Sequence, residues 1–215
     1  MKKPFIYLTY IEDLEKPLAA SLLQELPSNM QEEVLRYRKN DDQVRVFAGK
    51  KLLLQMMQDI GFGHCSLASF TRKDLLKPYI PNFHPFNITH SGNYVACATF
   101  EGHEIGIDIE KKRALKTGDF TKQFSPPEMQ IIQSASDQID QFFEFWTQKE
   151  AVMKADGRGM KIPLHSIRLK GDYATIDDRP EIWHLFPIPI HSEYKMHACS
   201  TEPIHDIELH HIQIL

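Results

Sequence analysis

The sequence predicts an α+β protein built from two similar lobes. Segments rich in β-branched and aromatic residues alternate with segments of helical character. Two distant stretches also resemble each other: His90-Ser91 precedes Ala96-Cys97-Ala98-Thr99, and His191-Ser192 precedes Ala198-Cys199-Ser200-Thr201, at spacings that differ by one residue. Chance is one explanation of this similarity. If it reflects a duplication, the chain divides near residues 101–105 into an N-terminal lobe, 1–103, and a C-terminal lobe, 104–215.

The first lobe is predicted to contain three strands and two helices. Strong β formers fill residues 5–10, and helix start and stop signals frame the next part of the chain. Three prolines within residues 72–86 predict a loop. The predicted elements are a strand over 5–10, a helix after Pro27-Ser28, a helix over about 41–60 that ends at Gly61, and strands over 86–90 and 94–100 around a turn at 91–93.

The second lobe is predicted to combine a strand, two helices and a strand-rich C-terminal part. Residues 104–110 form an apolar strand with acidic positions. Ser125-Pro126-Pro127-Glu128 is a capping box with proline at the first helical position, so a helix begins there. A second helix spans 138–154 and is stopped by Gly157 and Gly159. Residues 165–215 read as strands, with turns at 171–172 and 177–178.

Composition excludes several classes of protein. The 215 residues are 42% hydrophobic, which is ample for a core, and the net charge of −4 with a pI near 6.3 argues against nucleic acid as a partner. No apolar run approaches the ~20 residues that cross a bilayer. Lys2 and Lys3 are followed by Glu12 and Asp13 rather than by an uncharged stretch, so a cytoplasmic location is expected. Three cysteines without metal-site spacing are expected to be reduced, buried thiols.

A group of carboxylates points to a hard divalent cation. Asp108 and Glu110 lie two residues apart in a strand and therefore share a face. The simple alternative is an ordinary strand with a polar face. Glu104 would add a third negative charge along that strand, and like charges crowded together are destabilising unless a cation is present. The pair is therefore a candidate metal site.

The segment Trp146 to Lys154 supplies a third carboxylate and two lysines. Glu150 and Lys154 are four residues apart and rise from one face of a helix, while Lys149 precedes Glu150. Taken alone, this pattern fits a solvated helix with an ion pair worth only ~0.3 kcal/mol. Combined with Asp108 and Glu110, it suits a cation held by carboxylates and phosphate oxygens neutralised by lysines.

Other basic residues have an open interpretation. Arg36, Arg38, Lys39 and Arg45 form either a solvated patch or a phosphate anchor, and His90 either donates to a phosphate or caps a turn. Neither a glycine-rich phosphate loop nor a G-x-S-x-G elbow is present. Any bound phosphate must therefore be held by side chains and metal.

Three motifs resemble those of one enzyme family. They are Phe86-Asn87-Ile88-Thr89-His90-Ser91-Gly92, Gly106-Ile107-Asp108-Ile109-Glu110, and Phe145 to Lys154 followed by Gly157-Arg158-Gly159. With Arg45 and Lys77-Pro78, the resemblance covers roughly residues 36–165. It is to the 4′-phosphopantetheinyl transferases, in particular the longer, monomeric kind that activates peptide and polyketide synthetases.

The resemblance implies an activity, a fold and a site. Such enzymes transfer the phosphopantetheine arm of coenzyme A to a serine of an acyl or peptidyl carrier protein and release adenosine 3′,5′-bisphosphate, with the site at the junction of two lobes. The implied partners are therefore coenzyme A and a carrier protein, with no membrane and no nucleic acid, and the implied metal is magnesium, with manganese possible. The implied roles are metal binding by Asp108, Glu110 and Glu150, catalysis by Glu150 as base and by Lys154, diphosphate contact by Lys149 and Lys154, and coenzyme A binding by Arg45, Lys77, Pro78, Thr89 and His90.

The sequence also departs from the family pattern. Residues 29–33 lack the basic side chains usual there, Thr89 stands in place of serine, and Val46 follows Arg45. How the 3′-phosphate of coenzyme A is held is left open by these changes. The basic stretch Lys111 to Lys116 is either a solvated loop or a docking surface for an acidic carrier, with apolar support from Phe120, Phe124, Met129 or Met160.

Two other functions remain as alternatives. Asp108, Glu110 and Lys112 form an acid, acid, lysine set that a metal-dependent nuclease would use. A non-catalytic module that binds coenzyme A or carrier proteins is the third possibility, although a binder has no need of a metal.

Overall fold

The computed structural model describes residues 2–72 and 77–214 and confirms an α+β fold with two sheets. The first sheet has the strand order β2-β3-β1-β9 and the second has the order β4-β8-β7-β6-β5. The elements are β1 (Phe5–Tyr10), α1 (Ala20–Leu23), α2 (Ser28–Leu35), α3 (Asn40–Asp59), β2 (Phe86–Ser91), β3 (Tyr94–Thr99), β4 (Ile105–Lys111), α4 (Pro126–Ser134), α5 (Gln138–Asp156), β5 (Ile167–Leu169), β6 (Tyr173–Ile176), β7 (Ile182–Pro187), β8 (Tyr194–Ser200) and β9 (Glu208–His211).

Most of the predicted elements are confirmed, with ends that differ by one or two residues. The single turn of α1 is not evident from the sequence, because it has no buried residue to give a periodic signal. Within the predicted loop 72–86, Tyr79 pairs with Thr71 in an isolated bridge, and residues 73–76 lie outside the described part of the chain. None of the helices among the described residues is both long and apolar enough to cross a membrane.

The first sheet is completed by the end of the chain. β9 pairs in parallel with β1, so that Phe5 faces Glu208 and Leu8 faces His211 in the register. The division into residues 1–103 and 104–215 stays a prediction, and the C-terminal strand crosses it. The long helix α3 packs on this sheet through buried residues such as Phe47 and Leu52.

Helix α5 lies against β4 and β8 in the second lobe, and its two ends are fixed locally. The side chain of Asp137 caps the first turn by accepting from the Asp140 amide at 2.9 Å. Gly157 ends the helix with a left-handed φ of 82°, which glycine adopts at little cost. The helix can come close to β4 because Gly106 has no side chain, since a Cβ there would lie 1.9 Å from the Ala151 carbonyl oxygen.

A buried histidine ties α5 to β8. The Nδ1 atom of His197 lies 2.8 Å from the hydroxyl of Thr147, and its Nε2 atom lies 3.0 Å from a carboxylate oxygen of Glu144. Hydrogen bonding to His197 lowers the pKa of Glu144 to about 2, even though partial burial acts in the opposite direction. These contacts fix the rotation of α5 about its axis, and hence which of its side chains face β4.

The two lobes meet along β2 and β4, which belong to different sheets. The side chains of Asn87, Thr89 and Ser91 accept hydrogen bonds from backbone amides of β4. Beneath this contact, buried residues of both sheets share one apolar cluster, including Ile6 and Ala98 from the first and Ile107 and Ala198 from the second. The junction is thus packed and hydrogen-bonded along its length.

Candidate active site

A cleft of about 270 Å³ opens where β2, β4 and α5 converge. The structure brings six of the predicted site residues together in it. Its lining consists of Ile88, Thr89 and His90 from β2, Asp108 and Glu110 from β4, and Trp146, Glu150 and Lys154 from α5. The two motifs that the sequence placed 40 residues apart therefore form one site because Gly106 lets α5 lie directly on β4.

Asp108 is the most buried carboxylate of the cleft. Its Oδ1 atom is 2.5 Å from the ammonium of Lys154 and accepts from the hydroxyl of Thr89 at 3.2 Å. Burial raises the pKa of Asp108, and the nearby charge of Lys154 acts in the opposite direction. Its Oδ2 atom is buried and has no hydrogen-bond partner among the described residues. An unsatisfied buried carboxylate oxygen is costly unless a ligand completes it.

Glu110 and Glu150 complete a group of carboxylates that repel one another. Burial, followed by the negative charge of Asp108, raises the pKa of Glu110. Burial and then the charge of Asp108 likewise raise the pKa of Glu150 to about 7. A cation bound between these groups would relieve the repulsion.

The chemistry of the donor set fits a hard divalent cation, because all three groups offer oxygen ligands. In the described part of the chain, however, no three His, Cys, Asp or Glu side chains already stand in a metal-ligating arrangement. The ammonium of Lys154 instead supplies the positive charge next to Asp108.

His90 contributes a polar ring to the mouth of the cleft. Its desolvation, and then the positive charges of Arg45 and Lys154, lower the pKa of the imidazole. The ring is therefore neutral near pH 7 and can donate one N–H to an anionic ligand.

Lys149 lies elsewhere, although the sequence groups it with Lys154. Its side chain is buried, with Nζ 2.9 Å from Glu128 and donating to the carbonyl oxygens of Leu164 at 3.0 Å and Ile167 at 2.6 Å. All three ammonium hydrogens are thus used inside the second lobe. The structure does not bring this residue to the cleft, because α5 turns by about 100° per residue and directs it toward α4 and β5.

Arg45 and Lys77 lie outside the lining of the cleft. The Nε atom of Arg45 donates to the Gly92 carbonyl at 2.8 Å, and its guanidinium also pairs with Asp41 and Asp42. Arg45 therefore braces the turn that follows His90. The ammonium of Lys77 contacts Glu104 at 2.7 Å and the Ile105 carbonyl at 2.6 Å, at the start of β4, with Pro78 half-buried beside it.

Ser91 and Trp146 are site residues that were not predicted from the sequence. Trp146 lines the cleft one helical turn before Glu150. Ser91 donates to Glu110 Oε2 at 2.7 Å. The available signal was spacing, since Ser91 lies two residues after Thr89 on the same strand face and Trp146 lies four residues before Glu150.

Comparison with known proteins identifies the family. The model of the 4′-phosphopantetheinyl transferase superfamily matches residues 104–201. A 4′-phosphopantetheinyl transferase of Bacillus subtilis is 32% identical over 206 residues, which cover 88% of this chain and 90% of the relative. The chain belongs to the 4′-phosphopantetheinyl transferase superfamily. The family predicted from the motifs is therefore confirmed, and the protein is a transferase of this class.

Other phosphopantetheinyl transferases are similar over different lengths. The transferase Sfp of Bacillus subtilis (strain 168) is 32% identical over 143 residues, covering 62% of this chain and 63% of the relative. The transferase gsp of Aneurinibacillus migulanus is 26% identical over 202 residues, covering 91% of this chain and 84% of the relative. The family match at 104–201 contains the carboxylates of β4 and the whole of α5.

The basic stretch Lys111 to Lys116 of this transferase is only partly free to meet a partner. Lys112 pairs with Asp140 at 2.7 Å, whereas the side chain of Arg113 is 67% exposed. Of the predicted apolar supports, Phe124 and Met129 are buried in the second lobe, Phe120 packs at the edge of the same cluster, and Met160 is 86% exposed.

Proposed function

We propose that this transferase moves the 4′-phosphopantetheine arm of coenzyme A to a serine of an acyl or peptidyl carrier protein, uses magnesium, and releases adenosine 3′,5′-bisphosphate. The observation that supports this most directly is the convergence of Asp108, Glu110, Glu150 and Lys154 in one cleft at the lobe junction. The family supplies the transferred group, and the cleft supplies the chemistry that a diphosphate needs.

The carboxylates are the proposed metal ligands. Asp108 has a buried oxygen without a partner, and Glu110 and Glu150 carry raised pKa values that a neighbouring cation would lower again. Magnesium bound there would withdraw charge from the diphosphate of coenzyme A, which makes the phosphorus a better electrophile.

The remaining steps use groups of the chain itself. Lys154 lines the cleft, and we assign it to stabilise the negative charge that develops on the departing phosphate. Glu150 lies in the same cleft and is the proposed base that takes the proton of the carrier serine. The neutral ring of His90 offers a hydrogen bond to phosphate oxygens at the edge of the same cleft, and the Thr89 hydroxyl would join it by turning its proton away from Asp108.

The basic residues that were predicted to bind coenzyme A make other contacts in the structure. Arg45 supports the turn after His90 and Lys77 binds the start of β4, so we propose that they act on the ligand after releasing part of their present ion pairs. We leave Lys149 out of the diphosphate site because its ammonium is satisfied in the interior. Service of peptide or polyketide synthetase carriers, a monomeric state, a cytoplasmic location and the lack of nucleic-acid and membrane partners stay predictions.

The two alternatives lose support. A nuclease of the acid, acid, lysine type needs Lys112 beside the carboxylates, and that lysine pairs with Asp140 instead. A binding module would not require the base and the lysine that the cleft contains.

The test is transfer to a purified carrier. The enzyme is incubated with coenzyme A, magnesium chloride and an apo carrier domain, and the carrier mass is measured for addition of the phosphopantetheine arm. We expect addition with magnesium, none with EDTA, and none with Asp108→Ala, which should stay folded because losing one charge relieves repulsion among the carboxylates. Wild-type turnover in Asp108→Ala would overturn the site.

A further inference from the structure

A ladder of side chains joins the two lobes directly beside the carboxylates. Asn87, Thr89 and Ser91 lie at alternate positions of β2 and face β4. They accept hydrogen bonds from the amides of Ile107 at 3.0 Å, Ile109 at 3.4 Å and Lys111 at 3.0 Å, in that order. Each of these three hydrogen bonds is one rung of the ladder. Each rung joins a side chain of β2 to the backbone amide that lies 20 residues later in the chain.

Two rungs also touch a carboxylate, and one does not. The Thr89 hydroxyl is 3.2 Å from Asp108 Oδ1, and the Ser91 hydroxyl is 2.7 Å from Glu110 Oε2. Asn87 accepts from the Ile107 amide and has no contact with a carboxylate among the hydrogen bonds of the described residues. Replacing Asn87 therefore removes a rung without removing a contact to a carboxylate, and it serves as the control.

The hydrogen bond at Ser91 has a defined direction. The Lys111 amide can only donate, so it uses a lone pair of the Ser91 oxygen. The single hydroxyl proton is then free to point at the carboxylate, which can only accept when it is ionised. Ser91 is consequently a donor to Glu110, and the β4 backbone enforces that role.

Few other contacts hold the Glu110 side chain. In the described part of the chain, Ser91 gives the one hydrogen bond that this carboxylate accepts, and the nearest cation, Arg113, is 4.0 Å away and 67% exposed. The negative charge of Asp108 disfavours an ionised Glu110 beside it, whereas the hydrogen bond from Ser91 and the charge of Lys154 favour the ionised form. Among these groups, Ser91 is the one that contacts the Glu110 carboxylate within hydrogen-bond distance.

Ser91 itself is held rigidly. It pairs with Tyr94 in the register of β2 and β3, immediately before the turn at Gly92. Gly92 has a φ of 55°, and a Cβ there would lie 2.5 Å from the hydroxyl oxygen of Tyr194, so the turn is packed tightly on the second lobe. Arg45 fixes the same turn from the other side.

We propose that Ser91 is a positioning residue that keeps the Glu110 carboxylate aimed into the cleft for metal binding. The inference rests on the proposed function, because it concerns the metal assigned to these carboxylates. Partners of metal ligands outside the coordination sphere commonly change metal affinity by about 10- to 100-fold when removed.

The experiment compares Ser91→Ala with the matched rung variant Asn87→Ala. Binding of Mn²⁺ to the enzyme in the presence of coenzyme A is followed by the EPR signal of the free ion, and the magnesium concentration for half-maximal transfer is measured separately. We expect Ser91→Ala to weaken Mn²⁺ binding and raise the magnesium requirement about 10-fold. We expect Asn87→Ala to change the Mn²⁺ affinity and the magnesium requirement by less than about 2-fold. It should lower thermal stability about as much as Ser91→Ala does.

Conservative variants make the role specific. Ser91→Thr retains the hydroxyl and should restore most of the metal affinity, and kcat at saturating magnesium should approach that of the wild type. Ser91→Cys has a weaker donor and should be intermediate. It also replaces Ser91→Ala as the test if the alanine variant does not fold.

The outcomes separate the two proposals. If the wild type shows magnesium-dependent transfer and Ser91→Ala keeps the normal metal affinity, the inference about Ser91 fails alone. Equal weakening of Mn²⁺ binding in Ser91→Ala and Asn87→Ala would mean that Ser91 only holds the two lobes together. That result would also overturn the inference. A wild-type enzyme that binds no Mn²⁺ overturns both proposals.

Discussion

Lys149 and Lys154 lie five positions apart on α5 in the same motif, yet they belong to different parts of the molecule. Lys149 is fully buried, and its ammonium contacts Glu128 and two backbone carbonyls inside the second lobe. Lys154 is 26% exposed and contacts Asp108 and Thr89 at the lobe junction. One face of the helix therefore holds its own lobe together, and the other builds the cleft.

The buried pair also secures the start of α4. The Glu128 carboxylate accepts from the Ser125 amide at 2.7 Å in the predicted capping box, and it accepts from Lys149 as well. Lys149 thus connects the first turn of α4 to the middle of α5. The comparison shows that a lysine inside a functional motif can be structural when every one of its hydrogens is already bonded within the protein.

The largest expected effect is on folding at Lys149. Lys149→Met should lower the free energy of unfolding by about 3–5 kcal/mol, because it leaves the Glu128 carboxylate buried without its cation. Urea denaturation measures this change, and Lys149→Met combined with Glu128→Gln should recover part of the loss. Normal stability together with weakened coenzyme A binding would instead support the diphosphate contact that the sequence predicts.

The next effect is on catalysis at Lys154. Lys154→Met should lower kcat by about 10²- to 10³-fold, which is typical for loss of one group that stabilises charge in a transition state. It should also lower the free energy of unfolding, because it leaves the buried Asp108 carboxylate without its cation. Single-turnover transfer and urea denaturation give the two values. A variant with normal kcat would remove Lys154 from the reaction.

A third effect concerns pH and Glu150, which lies on the same side of α5 as Lys154. Its pKa rises from 4.5 to about 7 on folding in the absence of metal, chiefly through burial and then through Asp108. Because the folded state holds this proton more tightly, its contribution to stability is fully present below pH 4.5. The contribution is lost as the pH rises to about 7, by up to about 3 kcal/mol.

The comparison of wild type with Glu150→Gln in EDTA isolates this contribution. The difference in unfolding free energy between the two proteins should change across pH 4.5 to 7 and level off above that range. Adding magnesium should reduce the pH dependence of the wild type, since a bound cation favours the ionised carboxylate. A difference that is constant across this range would contradict the raised pKa.

The smallest expected effect concerns the exposed basic residues of the stretch Lys111 to Lys116. Lys112 is paired with Asp140, whereas the side chain of Arg113 is exposed. Reversing the charges of Arg113 and the exposed Lys116 to glutamate should raise the KM for the carrier a few-fold at low salt, in keeping with about 1 kcal/mol or less for each exposed charge. The effect should shrink as salt rises, with the KM for coenzyme A unchanged.

A charge-matched control separates docking from net charge. Lys16→Glu with Lys170→Glu alters two exposed lysines elsewhere and changes the net charge of the chain equally. Equal increases in the carrier KM for both double variants would mean that overall charge, rather than this loop, steers the carrier.

The sequence by itself determined the local elements and the core of the site. Alternation placed Asp108 and Glu110 on one strand face, and helical spacing placed Glu150 and Lys154 together, so the grouping within each pair followed from short-range periodicity. The caps at Ser125 and Gly157 were also readable, because capping depends on neighbouring residues.

Only the tertiary structure decided which of these groups is free to act. Lys149 became a buried contact because α4 packs on its side of α5, and Arg45 became a brace for the turn after His90. Ser91 contacts Glu110 because β4 meets β2 across the lobe junction. Strand β9, from the far end of the chain, pairs with β1 in the first sheet. Such pairings join residues distant in sequence, and local propensity contains no information about them because they are selected by the burial and hydrogen bonding of the whole fold.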